Sequence, residues 1–194
     1  MTIRNILAAA STHLAVAAAL CAIVPLAASA QSMAAGDPMV GGAAMYPSRN
    51  IVQNAVNSKD HTTLVAAVKA AGLVSTLESK GPFTVFAPTN EAFDKLPPGT
   101  VSALLEPANK AELTKILTYH VVPGNYSETS LLKAISAGGG KATLTTVEGA
   151  PLPVTDSAGL LQVTDAKGEP ANITISNVRQ SIGDIYVIDS VLMP

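Results

Sequence analysis

The chain has 194 residues, with 12 Lys and Arg against 14 Asp and Glu, a formal net charge of −2, and 48% hydrophobic residues. The lysines are scattered rather than run together, and four Tyr, three Phe and no Trp leave little for base stacking, which makes nucleic acid and anionic membrane surfaces poor partners. A single cysteine, Cys21, forms no disulfide within the chain, and a domain of this length buries an adequate core without one.

The N-terminus reads as a targeting segment. Arg4 precedes an uncharged, apolar run from Ile6 to Ala30 that exits through Ala28-Ser29-Ala30. A basic start, an apolar centre and a small-x-small exit make residues 1–30 a secretory signal peptide. The run approaches the ~20 residues needed to cross a bilayer, but Pro25 and the small exit favour cleavage over an anchor. Leu20 before Cys21 argues against lipid attachment. Cleavage removes Arg4 and Cys21, moves the net charge to −3, and predicts a periplasmic or secreted protein with no stable membrane insertion. The short, Ala-rich leader has a bacterial look.

Residues 31–48 are rich in Gly, Ala and Met and show no periodicity, which predicts a flexible arm, free or lying on the domain. Met33, Met39 and Met45 recur every six residues. Thioethers are soft ligands for monovalent copper, yet no histidine or cysteine lies nearby, and loose apolar docking explains them with fewer assumptions. No metal and no cofactor is expected.

The domain is placed at 49–194. Asn50 caps a short helix reaching about Ser58. Asp60 opens a second, with Leu64, Val65, Val68 and Ala71 as its apolar stripe and Gly72 as its stop. Leu73, Val74 and Leu77 add a further turn or two. Phe83 to Ala87 reads as a strand covered on both faces and ended by Pro88. Thr89 or Asn90 then caps a short helix through Phe93. After Pro97-Pro98-Gly99, Thr100 caps Val101–Glu106, and Pro107 starts a helix whose buried face is Leu113, Ile116 and Leu117. Tyr119–Val122 reads as a strand, and Ser127 caps a helix through Leu131, Leu132 and Ile135. Strands follow at 142–147, 152–155, 160–164, 173–178 and 185–192, separated by Gly- and Asp-containing turns. Ile173, Ile175 and Val178 alternate with polar residues as a half-buried strand does. Helices first and strands later give an α+β domain, with helices packed on an antiparallel sheet assembly.

Three ordered strings carry a resemblance to a known family. Phe83-Thr84-Val85-Phe86-Ala87-Pro88-Thr89-Asn90-Glu91-Ala92-Phe93 resembles the first signature of fasciclin-type (FAS1) domains. Tyr119-His120-Val121-Val122 is similar to the family's Tyr-His motif, and Gly183-Asp184-Ile185-Tyr186-Val187-Ile188-Asp189-Ser190-Val191-Leu192-Met193-Pro194 to its second signature. The resemblance spans roughly Arg49 to Pro194 and implies a wedge-like β-sandwich with a layer of short helices. Phe86, Pro88, Thr89, Asn90, Phe93, Gly183 and Asp189 then act as structural signature residues. It also implies an adhesion or interaction module, in which Tyr119 and His120 are the residues tied to receptor contact in some animal members. Tyr186 stands where the family often has histidine, and Ile175–Arg179 lacks the acidic Glu-Pro-Asp pattern of some animal adhesion domains.

The residues offer no catalytic set. Beyond the leader the histidines are His61 and His120. His61, beside Asp60 near a helix start, reads as solvent-facing; His120, in an apolar string, reads as a neutral tie between helix and sheet. With no cysteine beyond the leader, a zinc site would need mostly carboxylates. No G-x-S-x-G elbow or phosphate loop occurs, and Gly138-Gly139-Gly140-Lys141 lacks the required spacing. Asp156, Asp165 and Glu169 sit in turns, where they read as turn formers rather than a calcium or acid–base pair. Asp189, flanked by apolar residues, needs donors and reads as a clasp between the two signatures, drawing on backbone N–H groups or on Thr89-Asn90. Asn125-Tyr126-Ser127 and Asn172-Ile173-Thr174 are N-glycosylation triplets, relevant only in a host that glycosylates asparagine.

Two functions stay open. One is a non-enzymatic adhesion or interaction module that meets a cell-surface or matrix protein or glycan, acting as a homodimer or with another partner if it bridges two surfaces. The alternative is an extracytoplasmic carrier of a small apolar or aromatic ligand, with the Met-containing arm and the Leu131–Ile135 helix lining its groove.

Overall fold

The computed structural model describes residues 37–78 and 81–194. The signal segment, Met33 and the first residues of the arm lie outside the described residues. The elements alternate little: a hairpin, then a helical half, then a strand-rich half, as an α+β chain does. Strand β1 (Met39–Val40) pairs with β2 (Ala43–Ala44), and helices α1 (Ile51–Ala55), α2 (Thr62–Ala71) and α3 (Val74–Leu77) follow. Strand β3 (Phe83–Pro88) leads into α4 (Asn90–Asp94), α5 (Thr100–Leu105), α6 (Lys110–Tyr119), β4 (Val121–Pro123) and α7 (Glu128–Ala137). Strands β5 (Lys141–Thr145), β6 (Pro151–Ser157), β7 (Leu160–Thr164), β8 (Pro170–Gln180) and β9 (Gly183–Ile188) complete the chain.

The helix starts are written in local chemistry. Asn50 accepts from the Gln53 N–H while the Gln53 side chain accepts from the Asn50 N–H, a reciprocal capping box. Thr89 caps α4 and Ser127 caps α7 by accepting from the N–H three residues on. Gly72 ends α2 in the left-handed region. Gly99, rather than Thr100, occupies the cap position of α5, and Thr100 is its first residue.

The larger sheet runs β4-β3-β9-β8-β7-β6-β5. Its pairs are antiparallel except one: β3 and β9, the two signature strands, run parallel from Phe83↔Gly183 to Pro88↔Ile188. A parallel central pair is covered on both faces, and here each face has its own core. On one side Val85, Ala87, Ile185 and Val187 meet α1 to α6 through residues such as Leu64, Val68, Phe93, Leu113 and Leu117. On the other, Phe86, Tyr186 and Ile188 meet α7 and the inner faces of β5 to β8.

Strand β8 joins the two halves of the sheet. Its start pairs with β7 and its remainder with β9. Register shifts between Ile173 and Ile175, and again before Val178, interrupt the simple alternation read from the sequence. Ile173 therefore belongs to the α7 side, whereas Ile175 and Val178 face α1 to α6. An extra residue in a strand turns the following side chains to the other face, and Asn177 takes a left-handed conformation (φ 57°) at that point.

Residues 39–45 lie on the domain, the second of the two courses expected for this segment, and there form an ordered hairpin rather than a loosely docked arm. Gly41 and Gly42, both at positive φ, turn the chain between β1 and β2, and two such residues in succession suit a tight hairpin. Val40 is 3% and Met45 2% exposed, both within the α1–α6 core, while Met39 is 59% exposed. The Lys59 N–H donates to the Gly41 carbonyl, and Asn54 exchanges hydrogen bonds with the Tyr46 backbone. Strands of two residues have no readable period, so the Gly-Gly pair was the available signal. Met45→Ala is expected to destabilise the protein by about 2–4 kcal/mol in urea unfolding. Met39→Ala should stay within about 0.5 kcal/mol of wild type, and equal effects would contradict this packing.

Candidate functional site

The Tyr-His pair lies one element earlier than the sequence reading placed it. Tyr119 is the last residue of α6 and His120 caps its C-terminus, so the strand begins only at Val121. Both rings are buried. His120 Nδ1 lies 2.8 Å from the Ile116 carbonyl, and the Leu192 N–H donates to Nε2 at 3.0 Å. These partners require the neutral tautomer with the proton on Nδ1. Burial lowers the His120 pKa to about 4, against the opposing pull of the Ile116 carbonyl and Asp165. The Tyr119 hydroxyl donates to the Pro151 carbonyl at 3.4 Å, and burial, then Asp165 and Glu148, push its pKa up. Neither ring offers a surface to a partner. Together they tie α6 to the closing segment and to the strand-rich half.

His61 is buried rather than solvent-facing, because the turn Lys59–His61 directs it inward against β3. Its Nδ1 pairs with Ser58 Oγ at 2.9 Å. Nε2 has no hydrogen-bond partner among the described residues, although the Ala87 carbonyl lies near enough to act on the ring. Burial lowers its pKa, with Ala87 and Asp60 opposing. His61 and His120 border an apolar cavity of about 70 Å³ between the helices and β3 and β9. Small-molecule sites hold roughly 300–1,000 Å³. Nor do the two elements proposed for a carrier groove meet: Val40 and Met45 pack on one face of the β3–β9 pair, Leu131 and Ile135 of α7 on the other.

The remaining signature residues hold the corner together. Phe86 stacks on Tyr186, its register partner, with ring centroids 5.6 Å apart. Phe93 is buried against the helical core, Pro88 ends β3, and the Thr89 N–H donates to the Ile188 carbonyl at 3.3 Å. Asn90 fastens α4 to the start of α2, donating to the Lys59 carbonyl and accepting from the Thr63 N–H. Gly183 is obligatory: at φ 145° a Cβ would lie 1.7 Å from the Phe83 carbonyl oxygen. Asp189 is a clasp, and of the donors expected for it a backbone N–H is found, while Thr89 and Asn90 do not reach it. Asn172 supplies both its N–H (2.9 Å) and its Nδ2 (2.8 Å), because the end of β9 lies beside β8. The link to the first signature is Lys95, whose Nζ donates to the Asp189 carbonyl at 2.6 Å and lies 3.6 Å from Oδ2. Burial raises the Asp189 pKa, yet the Asn172 bonds and Lys95 outweigh it and hold the carboxyl below the usual range. Asp165 acts as a turn former, accepting from the Lys167 and Glu169 N–H groups, and also binds the Met193 N–H.

One open polar site was not singled out in the sequence. A cleft of about 410 Å³ is lined by Asn125, Ser127, Arg179, Gln180, Gly183 and Asp184. Arg179 and Asp184 are register partners on β8 and β9. The loop before α7 forms one wall and is fixed from below: Tyr186 Oη donates to the Tyr126 carbonyl at 2.6 Å, and Thr84 Oγ1 bonds both the Gly124 carbonyl and the Tyr126 N–H. Asp184 is 2% exposed, and burial raises its pKa while Arg179 opposes. A charged residue directly after Gly183 in an otherwise apolar strand was the signal available.

The His120 geometry carries a pH signature. A base whose folded-state pKa is depressed binds its proton more readily when unfolded, so stability is lost as pH falls from 6.5 towards about 4. The melting temperature is expected to drop through that window. His120→Gln should cost about 1–3 kcal/mol near neutral pH by disturbing two buried partners, and should flatten the slope, leaving the part due to His61. An unchanged slope in the variant would contradict the assignment.

Among the described residues, no helix is long and apolar enough to cross a membrane. The sequence profile of the Fasciclin domain matches residues 59–194. Protein sll1483 of Synechocystis sp. is 44% identical, over 80% of this chain and 79% of its own. Immunogenic protein MPB70 of Mycobacterium bovis is 36% identical, over 100% of this chain and 99% of its own. The structure of a FAS1 domain pair from the insect cell adhesion molecule Fasciclin I superposes with a TM-score of 0.68 at 20% identity, covering 76% of this chain and 52% of that one. With its signature strands paired as the core of an α+β domain of this fold, the chain belongs to the fasciclin (FAS1) family.

Proposed function

We propose that the chain is a secreted or periplasmic, non-enzymatic contact module that meets a protein or glycan of the cell surface or matrix. The observation that carries the reading is the fate of the signature residues. Phe86 and Tyr186 stack on each other, His120 and Asp189 are held by neighbouring elements, and the apolar interior leaves a cavity of about 70 Å³. Such an interior holds a scaffold rather than a cargo, so binding falls to the surface. Kinship with a cell adhesion molecule supports the same reading. The apolar leader supports the location outside the cytoplasm.

The test is made on protein purified from the extracytoplasmic fraction of its host. Native mass spectrometry should give the chain mass, as monomer or homodimer, without an adduct. A stoichiometric apolar or aromatic adduct would overturn the reading in favour of a carrier. Beads coated with the protein should adhere to the envelope or matrix of host cells, and beads that do not adhere would overturn the contact role.

A further inference from the structure

The polar cleft at the end of the β8–β9 hairpin holds a carboxylate that the fold does not use. The Asp184 side chain borders the cleft at 2% exposure, and among the described residues no hydrogen bond or ion pair within 4.0 Å reaches it. Two other inward acids are held by the fold: Asp165 binds three N–H groups, and Asp189 is held by Asn172 and Lys95. Its oxygens stay open to the cleft, so the donors such a carboxylate needs come from water or from a ligand seated there. We propose that this cleft is a binding site for a neutral saccharide, whose adjacent hydroxyl groups are read by Asp184 and Arg179. The proposal rests on the contact-module reading and names the class of partner.

Three features select that chemistry. The lining carries one guanidinium and one carboxylate, so an ion of either sign meets a like charge beside its counter-charge. Hydroxyl groups avoid that conflict, since each both donates and accepts. An ionised Asp184 accepts from one or two of them, the Arg179 fork donates to their oxygens, and the Asn125 amide does either. The volume, about 410 Å³, suits a sugar ring or two rather than a folded surface. Finally, the walls are preorganised. Gly183 is fixed by its approach to Phe83, and the Asn125 loop by Thr84 and Tyr186, so little ordering cost attends binding. Burial raises the Asp184 pKa, which leaves a neutral polyol unaffected, since a protonated carboxyl donates where the ionised one accepts.

The probes are the methyl glycosides of glucose, galactose and mannose, added to ¹⁵N-labelled protein and followed by amide shifts. At least one is expected to move the amides of Asn125, Arg179, Gly183 and Asp184 with millimolar affinity. Asp184→Asn and Arg179→Ala should each weaken it by about tenfold or more. Arg179 is exposed, so its removal should leave the melting temperature unchanged and decides the matter if the Asp184 variant folds poorly. No cleft shift with any glycoside, or shifts produced instead by glycine or by sialic acid, would overturn the proposal. Coated beads separate the two claims. Wild-type beads that adhere to cells while no glycoside binds would sink the saccharide site alone; beads that never adhere would sink the contact role beneath it.

Discussion

The structure depends on the parallel contact between β3 and β9. Strands from distant parts of the chain lie side by side at van der Waals limits: the Phe83 carbonyl occupies the space a Cβ at position 183 would fill, and the next pairs bring Phe86 onto Tyr186. Beyond Thr84 and Asp184 at its open end, the pair is apolar and buried on both faces, so a one-residue slip would put aromatic side chains into the wrong core. The glycine and the stacked rings fix the register. The β1–β2 hairpin, the helices and β5 to β7 are placed by which face of this pair they cover, and β4 and β8 by pairing with its edges.

That division explains where polar residues appear in the interior. Backbone groups leaving β3 and β9 must be satisfied as each core closes. His120 does this between α6 and the segment after β9, receiving the Leu192 N–H while donating to Ile116. Asp189 does it at the end of β9, and Asp165 binds the Met193 N–H next to it. The three groups fasten the last residues of the chain to a helix, a strand and a turn. A charged or neutral polar group in each position is tolerated because its hydrogen bonds are complete.

The same logic sets Asp184 apart. It shares the strand with Tyr186 and Ile188 but stands where the hairpin opens to solvent, beside Arg179 and the loop fixed by Thr84 and Tyr186. The rigid pair beneath presents this corner with little freedom, which suits recognition of a small, hydroxyl-rich group. Most of the motif residues that first draw attention to the chain thus build the platform, and the proposed contact chemistry lies at its rim, where the second signature begins.

Much of this was local and therefore legible. The caps at Asn50, Thr89 and Ser127, the stop at Gly72, and the doubly buried strand at Phe83–Ala87 follow from hydrogen-bonding capacity and apolar runs a few residues long. His120 as a neutral tie followed from an imidazole within an apolar string. Other features were settled by residues far apart in sequence. The hairpin at Met39–Ala44 gains its order from Val40 and Met45 entering a core built by α1 to α6. His61 turned inward because β3 lies over its helix, and the bulges of β8 moved Ile175 away from the face of Ile173. The partner of Asp189 and the isolation of Asp184 likewise arise from strand register. Sequence by itself determined where the chain bends, stops and buries apolar surface, since those depend on neighbours along the chain. Which polar groups found partners, and which were left facing a cleft, was decided by tertiary structure, because hydrogen bonds close over a few ångströms between groups that the sequence holds many residues apart.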